Sequence, residues 1–214
     1  RSVSDAERKA LGITNDEDGE FWMSFEEWVK NFEELQICHL PEGTGTERKL
    51  SWKQQVYHES WVKGVSAGGC GNPPYEKLYW TNPQFTVILK EPDAEDKDKK
   101  CSLIVSLMQK NARALRTKRK VSMANLPINF DLYKVKGNNP TILEGENYSR
   151  FALKLARRGG NYSYYRELTQ EFRLDPGVYV VIPATFDPYV EMDFLLRMYT
   201  EATAQSMAMD IETQ

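Results

Sequence analysis

Six stretches of this chain place apolar residues at every second position: Phe85-Val87-Leu89, Leu103-Val105-Leu107, Ile128-Phe130-Leu132, Phe151-Leu153-Leu155, Phe172-Leu174 and Phe194-Leu196-Met198. A period of two belongs to the β-strand, in which successive side chains point to opposite faces, so each stretch offers one apolar face to a core. Residues Gly177 to Pro183, GVYVVIP, are apolar nearly throughout, as expected of a central strand. The Pro176-Gly177 pair ahead of it predicts a hairpin with the strand ending at Leu174. One more strand over Leu50 to Tyr57 brings the number to about eight, separated by loops with Gly, Pro and Asn. Short strands without intervening helices predict an antiparallel β-sandwich whose core is the set of alternating apolar positions.

The first 40 residues follow a different period. Ser24 and Glu27 have the S-x-x-E spacing of a capping box, with Met23 and Trp28 at the positions of a hydrophobic staple. Phe25, Trp28, Val29, Phe32 and Leu35 then fall on one helical face at steps of three and four, with Glu26, Glu27, Lys30, Asn31 and Glu34 opposite. Such a face reads either as an ordinary amphipathic helix on the chain's own core or as a surface prepared for a partner. After Leu40, the turn formers and charges of PEGTGTERK mark a linker and a boundary near residue 41.

Composition limits the function classes. Of 214 residues, 41% are hydrophobic and 28% charged, which suits a globular domain. A net charge of -3 argues against a nucleic-acid partner, whose binding domain is normally basic. Cys38, Cys70 and Cys101 are odd in number and irregular in spacing, so they read as reduced thiols in a cytosolic setting. Cys70, after Gly68 and Gly69, has the look of a nucleophile, although small thiols after glycines are mostly packed. Cys38 and His39 are neighbours whose side chains point to opposite faces of a strand, so they cannot pair as nucleophile and base.

Three charged segments carry candidate chemistry. Asp16, Asp18 and Glu20 gather hard oxygens around Gly19, as calcium requires, but an EF-hand loop beginning at Asp16 would need glycine where Phe21 stands. The spacing alone reads as a solvated turn. The segment EPDAEDKDKK crowds Glu91, Asp93, Glu95, Asp96 and Asp98 together, diluted by Lys97, Lys99 and Lys100, and reads as a solvated hairpin tip or a cation-responsive loop. Opposite in sign, Arg113, Arg116, Lys118, Arg119 and Lys120 form one basic run, and Arg48, Lys49 and Lys53 a second patch. Each base near an anionic membrane gains about 1 kcal/mol, so five supply a few kcal/mol of reversible, salt-sensitive attachment.

The wording of these segments resembles the calpains, calcium-dependent intracellular cysteine proteases. EDGEFWMSFEEW followed by LQICHL is similar to the end of their protease core. SAGGCGNPP, YWTNPQFTVIL, SLIVSLMQKN, EFRLDPGVYVVIPATFDP and DFLLRMYTE resemble, in order, the domain that follows it. That domain, domain III, is an eight-stranded antiparallel sandwich similar to the lipid-binding C2 domains. The resemblance implies residues 1–40 as the tail of a papain-like core, 41–50 as a linker, 51–201 as the C2-like sandwich, and 202–214 as a linker to a following domain.

It also implies a partial calcium site, with Asp16 giving its carbonyl and Asp18 and Glu20 their carboxylates. Three such ligands on a loose turn bind at about millimolar strength. Calpain catalysis uses Cys, His and Asn, with the cysteine in a Q-G-x-x-G-x-C-W string that does not occur here, so no catalytic residue is expected in this chain. The implied function is regulatory: coupling calcium and anionic phospholipid to a protease core and a later domain of the same protein. The implied location is cytoplasmic with reversible membrane association. A stand-alone lipid- or protein-binding C2-like module and a thiol enzyme using Cys70 remain alternatives.

Overall fold

A computed structural model describes residue 4 and residues 23–33, 35, 52–94, 96–112, 114, 117, 125–145, 152–156, 162–201 and 204–209. The chain divides into two compact units, Arg1–Leu40 and Pro41–Gln214. In the first, α1 spans Phe25–Asn31 and opens on the expected capping box: Ser24 Oγ accepts from the Glu27 amide and the Glu27 carboxylate accepts from the Ser24 amide. Each bond satisfies an N–H that the first helical turn leaves without a partner.

The second unit is a two-sheet antiparallel sandwich. Among the described residues it contains nine strands: β1 (Lys53–Trp61), β2 (Gln84–Leu89), β3 (Cys101–Gln109), β4 (Ile128–Val135), β5 (Ala152–Ala156), β6 (Glu167–Leu174), β7 (Gly177–Thr185), β8 (Met192–Thr200) and β9 (Ala204–Met209). One sheet runs β1-β8-β3-β6 and the other β5-β4-β7-β2-β9. The alternating positions do what their period implies. Val87, Leu103, Val105, Leu107, Ile128, Phe130, Leu132, Phe194, Leu196 and Met198 meet in one core between the sheets. Trp61 ties the layers together, its indole N–H donating to the Pro183 carbonyl at 3.1 Å.

The central strand is buried on both sides. Tyr179 and Val181 of β7 face the inner core, while Val178, Val180, Ile182 and Ala184 join a second cluster on the outer face of the five-stranded sheet. The segment between β1 and β2 supplies Tyr79 and Trp80 to that cluster, from a 3-10 turn at Leu78–Thr81. Gly68 allows the approach: a Cβ there would stand 1.9 Å from the Leu78 carbonyl oxygen. Gly69, at φ +69°, would put a Cβ 2.5 Å from the Pro188 nitrogen.

Four expectations differ from the structure. The Pro176-Gly177 turn forms no hairpin: β6 pairs with β3 and β7 with β2 and β4, so the turn carries the chain from one sheet to the other. The phase of β5 is reversed, with Ala152 buried and Leu153 53% exposed. Ala152 pairs with Val135 of the outer cluster and so shares its buried face, while Leu153 falls opposite Lys134. The first strand starts and ends later than Leu50 to Tyr57, since the buried Trp61 closes it. Residues 204–209, within the span read as a linker, form β9 along β2; their small side chains leave too little apolar alternation to reveal a strand.

Candidate functional site

The loop from Glu91 to Lys100 joins β2 of one sheet to β3 of the other, so it is an inter-sheet connection rather than a hairpin tip. Two of its acids build it. Asp93 is buried; its amide donates to the Lys100 carbonyl at 2.8 Å and its Oδ2 accepts from the Ser102 amide at 2.6 Å. Asp96 Oδ1 accepts from the Asp98 and Lys100 amides at 2.8 and 3.3 Å. The chain turns back through Lys99, which takes the left-handed conformation at φ +58°.

A cation from β6 closes the loop. Arg173 sits opposite Ser102 in the β3–β6 register and donates from Nη2 to Asp96 Oδ2 at 2.5 Å and to Asp98 Oδ2 at 3.2 Å. The Arg173 hydrogen bond holds the Asp96 carboxyl below its usual range, and Asp96 in turn raises the guanidinium. Beside it Lys100 pairs with Asp175 at 2.5 Å and Lys134 with the same carboxylate at 3.5 Å, which lowers the Asp175 pKa, the Lys100 bond contributing most. Beneath the loop, Cys101 donates its S–H to the Glu91 carbonyl at 3.3 Å. Burial first, and then the nearby Asp93, push that thiol up to about 11.

Sequence reasoning found the acids but missed Arg173, Lys134 and Asp175. The signal for Arg173 and Asp175 is the FRLDP string at the end of β6, readable only once β6 is known to lie beside β3; Lys134, on β4, has no such signal.

Among the remaining candidates, Glu91 is exposed and Glu95 lies outside the described residues. Lys53 is exposed on β1, opposite Thr200. Arg48, Lys49, Arg113, Arg116, Lys118, Arg119, Lys120, Asp16, Asp18, Glu20, Cys38 and His39 lie outside the described residues as well. Cys70 is buried in the glycine turn, its amide donating to the Phe186 carbonyl at 3.1 Å, so its thiol is packed away from substrate. The helix α1 has no buried residue: Phe25 is 73% exposed, and its ring and that of Phe32 stack on Trp28 at 6.2 and 5.8 Å.

A second arrangement lies in the outer cluster of the five-stranded sheet. Asp131, buried on β4, accepts from the Tyr79 hydroxyl at 2.7 Å, and the Tyr133 hydroxyl donates to that of Tyr79 at 3.3 Å. Burial and the Asp131 charge raise the Tyr79 pKa well above its ordinary value. Enclosed on all sides, this group serves to fasten the 62–83 segment to the sheet.

A two-sheet domain with a clamped acidic inter-sheet loop, following an exposed aromatic helix, is the class of structure defined so far. Comparison with known proteins gives it a family. Residues 57–199 match the family model of the calpain large subunit, domain III, and residues 1–39 that of the calpain family cysteine protease. Calpain-A of Drosophila melanogaster is 36% identical over 210 residues, covering 94% of this chain and 24% of the relative. Calpain clp-1 of Caenorhabditis elegans is 37% identical over 215 residues, covering 96% and 26%. The Calpain-1 catalytic subunit of Gallus gallus is 37% identical over 218 residues, covering 99% and 30%. The chain belongs to the calpain family, and it spans about a quarter of the length of these relatives.

Proposed function

We propose that this chain provides the regulatory sandwich of a calcium-dependent intracellular cysteine endopeptidase, coupling calcium and phospholipid signals to a protease core that hydrolyses peptide bonds. The observation that most supports the reading is the clamp on the Glu91–Lys100 loop. Arg173 bridges two of its acids from the exposed edge of β6, so a competing cation or a basic surface can displace the arginine and free the loop. A local charge event of this kind biases an element with two arrangements, held and released.

Calcium takes six to eight oxygens at about 2.3–2.6 Å. The clamped loop does not fit that demand: Asp96 already accepts on both oxygens, Asp93 faces the Ser102 amide, and no group of three acidic, His or Cys side chains is gathered among the described residues. Asp16, Asp18 and Glu20 remain the calcium candidates by resemblance. Lipid attachment is assigned to the basic residues Arg48, Lys49, Lys53, Arg113, Arg116, Lys118, Arg119 and Lys120, which act by charge on an anionic headgroup layer. In the same reading α1 turns its rings toward the protease core, and the place of action is the cytoplasm with reversible membrane attachment.

The alternative is a stand-alone lipid- or protein-binding module. Sedimentation with phosphatidylserine vesicles at low and high salt, with and without calcium, separates the two. Binding that calcium strengthens supports coupling; salt-sensitive binding without a calcium effect supports the module.

A further inference from the structure

Among the strands, β9 is attached differently from the rest. It pairs with β2 along its whole length, from Gln84 opposite Met209 to Leu89 opposite Ala204. Yet none of its side chains from Gln205 to Met209 is buried, and Met207 is 44% exposed. β2 beneath it is buried at five of its six positions. The inner core thus closes through Phe85, Val87 and Leu89 without a contribution from β9.

What β9 adds on the core side is small and specific. Ser206 stands opposite Val87, on the same face, and its hydroxyl bonds that of Tyr57 from the edge strand of the other sheet. The Tyr57 ring lies against Phe85 with centroids 4.9 Å apart. A large side chain at position 206 would have to displace that ring.

We propose that the edge of β2, together with Tyr57, is a strand-acceptor site for an extended peptide, filled in this chain by Ala204–Met209, which exchanges off it while the sandwich stays folded. Backbone pairing supplies the affinity and alternate side chains the specificity, as in other cases of strand addition. The peptide it takes carries a small hydroxyl residue at the position beside Tyr57 and tolerates long flexible residues on the other face. Only residues 201–203 separate β8 from β9, so the tether keeps the cis segment at high effective concentration and the site is filled at rest.

Hydrogen exchange on the full chain is the first test. The β9 amides should exchange at least tenfold faster than those of β7 and β8; exchange in step with those strands would overturn the proposal. The second test uses the full chain carrying Ser206→Pro and Met207→Pro. One of two adjacent N–H groups faces β2 in either hydrogen-bond phase, so the pair breaks the ladder. This variant should keep the wild-type near-ultraviolet circular dichroism and bind a fluorescent peptide of sequence ATAQSMAMD at least tenfold more tightly than wild type. The same peptide with leucine in place of its serine should bind at least tenfold more weakly. A variant that unfolds, or that folds and ignores the peptide, would contradict the inference.

Discussion

Replacing Tyr79 by phenylalanine isolates one hydroxyl at the point where the 62–83 segment is fastened to the sheet. Tyr79 is 5% exposed and Asp131 3%, and their hydrogen bond is 2.7 Å long. The ring keeps its perpendicular contact with Trp80 at 4.9 Å, so packing is preserved and the loss is polar. A hydrogen bond to a charged group contributes about 1.5–3 kcal/mol, and in a chain of this size each kcal/mol moves the melting temperature by about 2–4 °C. Tyr79→Phe should therefore lower it by roughly 3–12 °C. Tyr133→Phe removes the 3.3 Å bond between two neutral hydroxyls and should cost less, about 1 kcal/mol. Urea titration followed by tryptophan fluorescence gives both values with one probe. A loss under about 0.5 kcal/mol at Tyr79, or equal losses at the two positions, would refute the view that the buried carboxylate anchors this segment.

Further outcomes follow from the loop and the turns. Arg173→Gln should speed amide exchange at Asp98 and Lys100 while leaving the Ser102 amide, held by Asp93, protected; equal acceleration at all three would count against the clamp. The same loop should loosen on acidification. Asp96 and Asp175 have lowered folded pKa values, so their contribution is complete above the ordinary aspartate value of about 3.9 and is lost as pH falls through the folded values. An NMR titration that released the loop between pH 5 and 7 would contradict this assignment. Gly68→Ala should cost stability at the upper end of the roughly 1–3 kcal/mol typical of overpacking, because the Leu78 backbone must move. Gly64→Ala, with open space but φ +78°, should cost about 1–2 kcal/mol from the backbone alone. Alkylation at neutral pH should be slow at both Cys70 and Cys101, which are buried. Faster reaction at Cys70 than at a model thiol would restore it as a nucleophile.

Period two revealed the strands because it is a local property: Leu103, Val105 and Leu107 share a face whatever lies opposite. What stayed hidden depends on pairing. Whether β6 turns back on its own sheet or crosses to the other is decided by which edges are open, and FRLDPGVYV reads the same in either case. The face β5 buries follows from its pairing with β4, where Ala152 falls opposite Val135, and the residues of β5 alone do not record that pairing. β9 escaped notice because the residue it sets beside Tyr57 is the small polar Ser206, so its sequence shows no apolar alternation. The acids of the candidate site were visible as a cluster, but their counter-charge was not, since Arg173 lies 75 residues beyond Asp98. The capped start of α1 and its exposed Phe25 were legible, but its end was not: the helix stops at Asn31, Phe32 is extended, and Leu35 lies beyond the helical face read for it.

The claim on which the account turns is that this sandwich regulates a cysteine protease to which it is covalently joined. The most direct measurement is the coding sequence upstream of the Arg1 codon, read from the transcript. A papain-like half carrying the Q-G-x-x-G-x-C-W string, in frame with Arg1, is the result predicted. An initiator methionine a few codons ahead of Arg1, with no such half before it, would contradict the account.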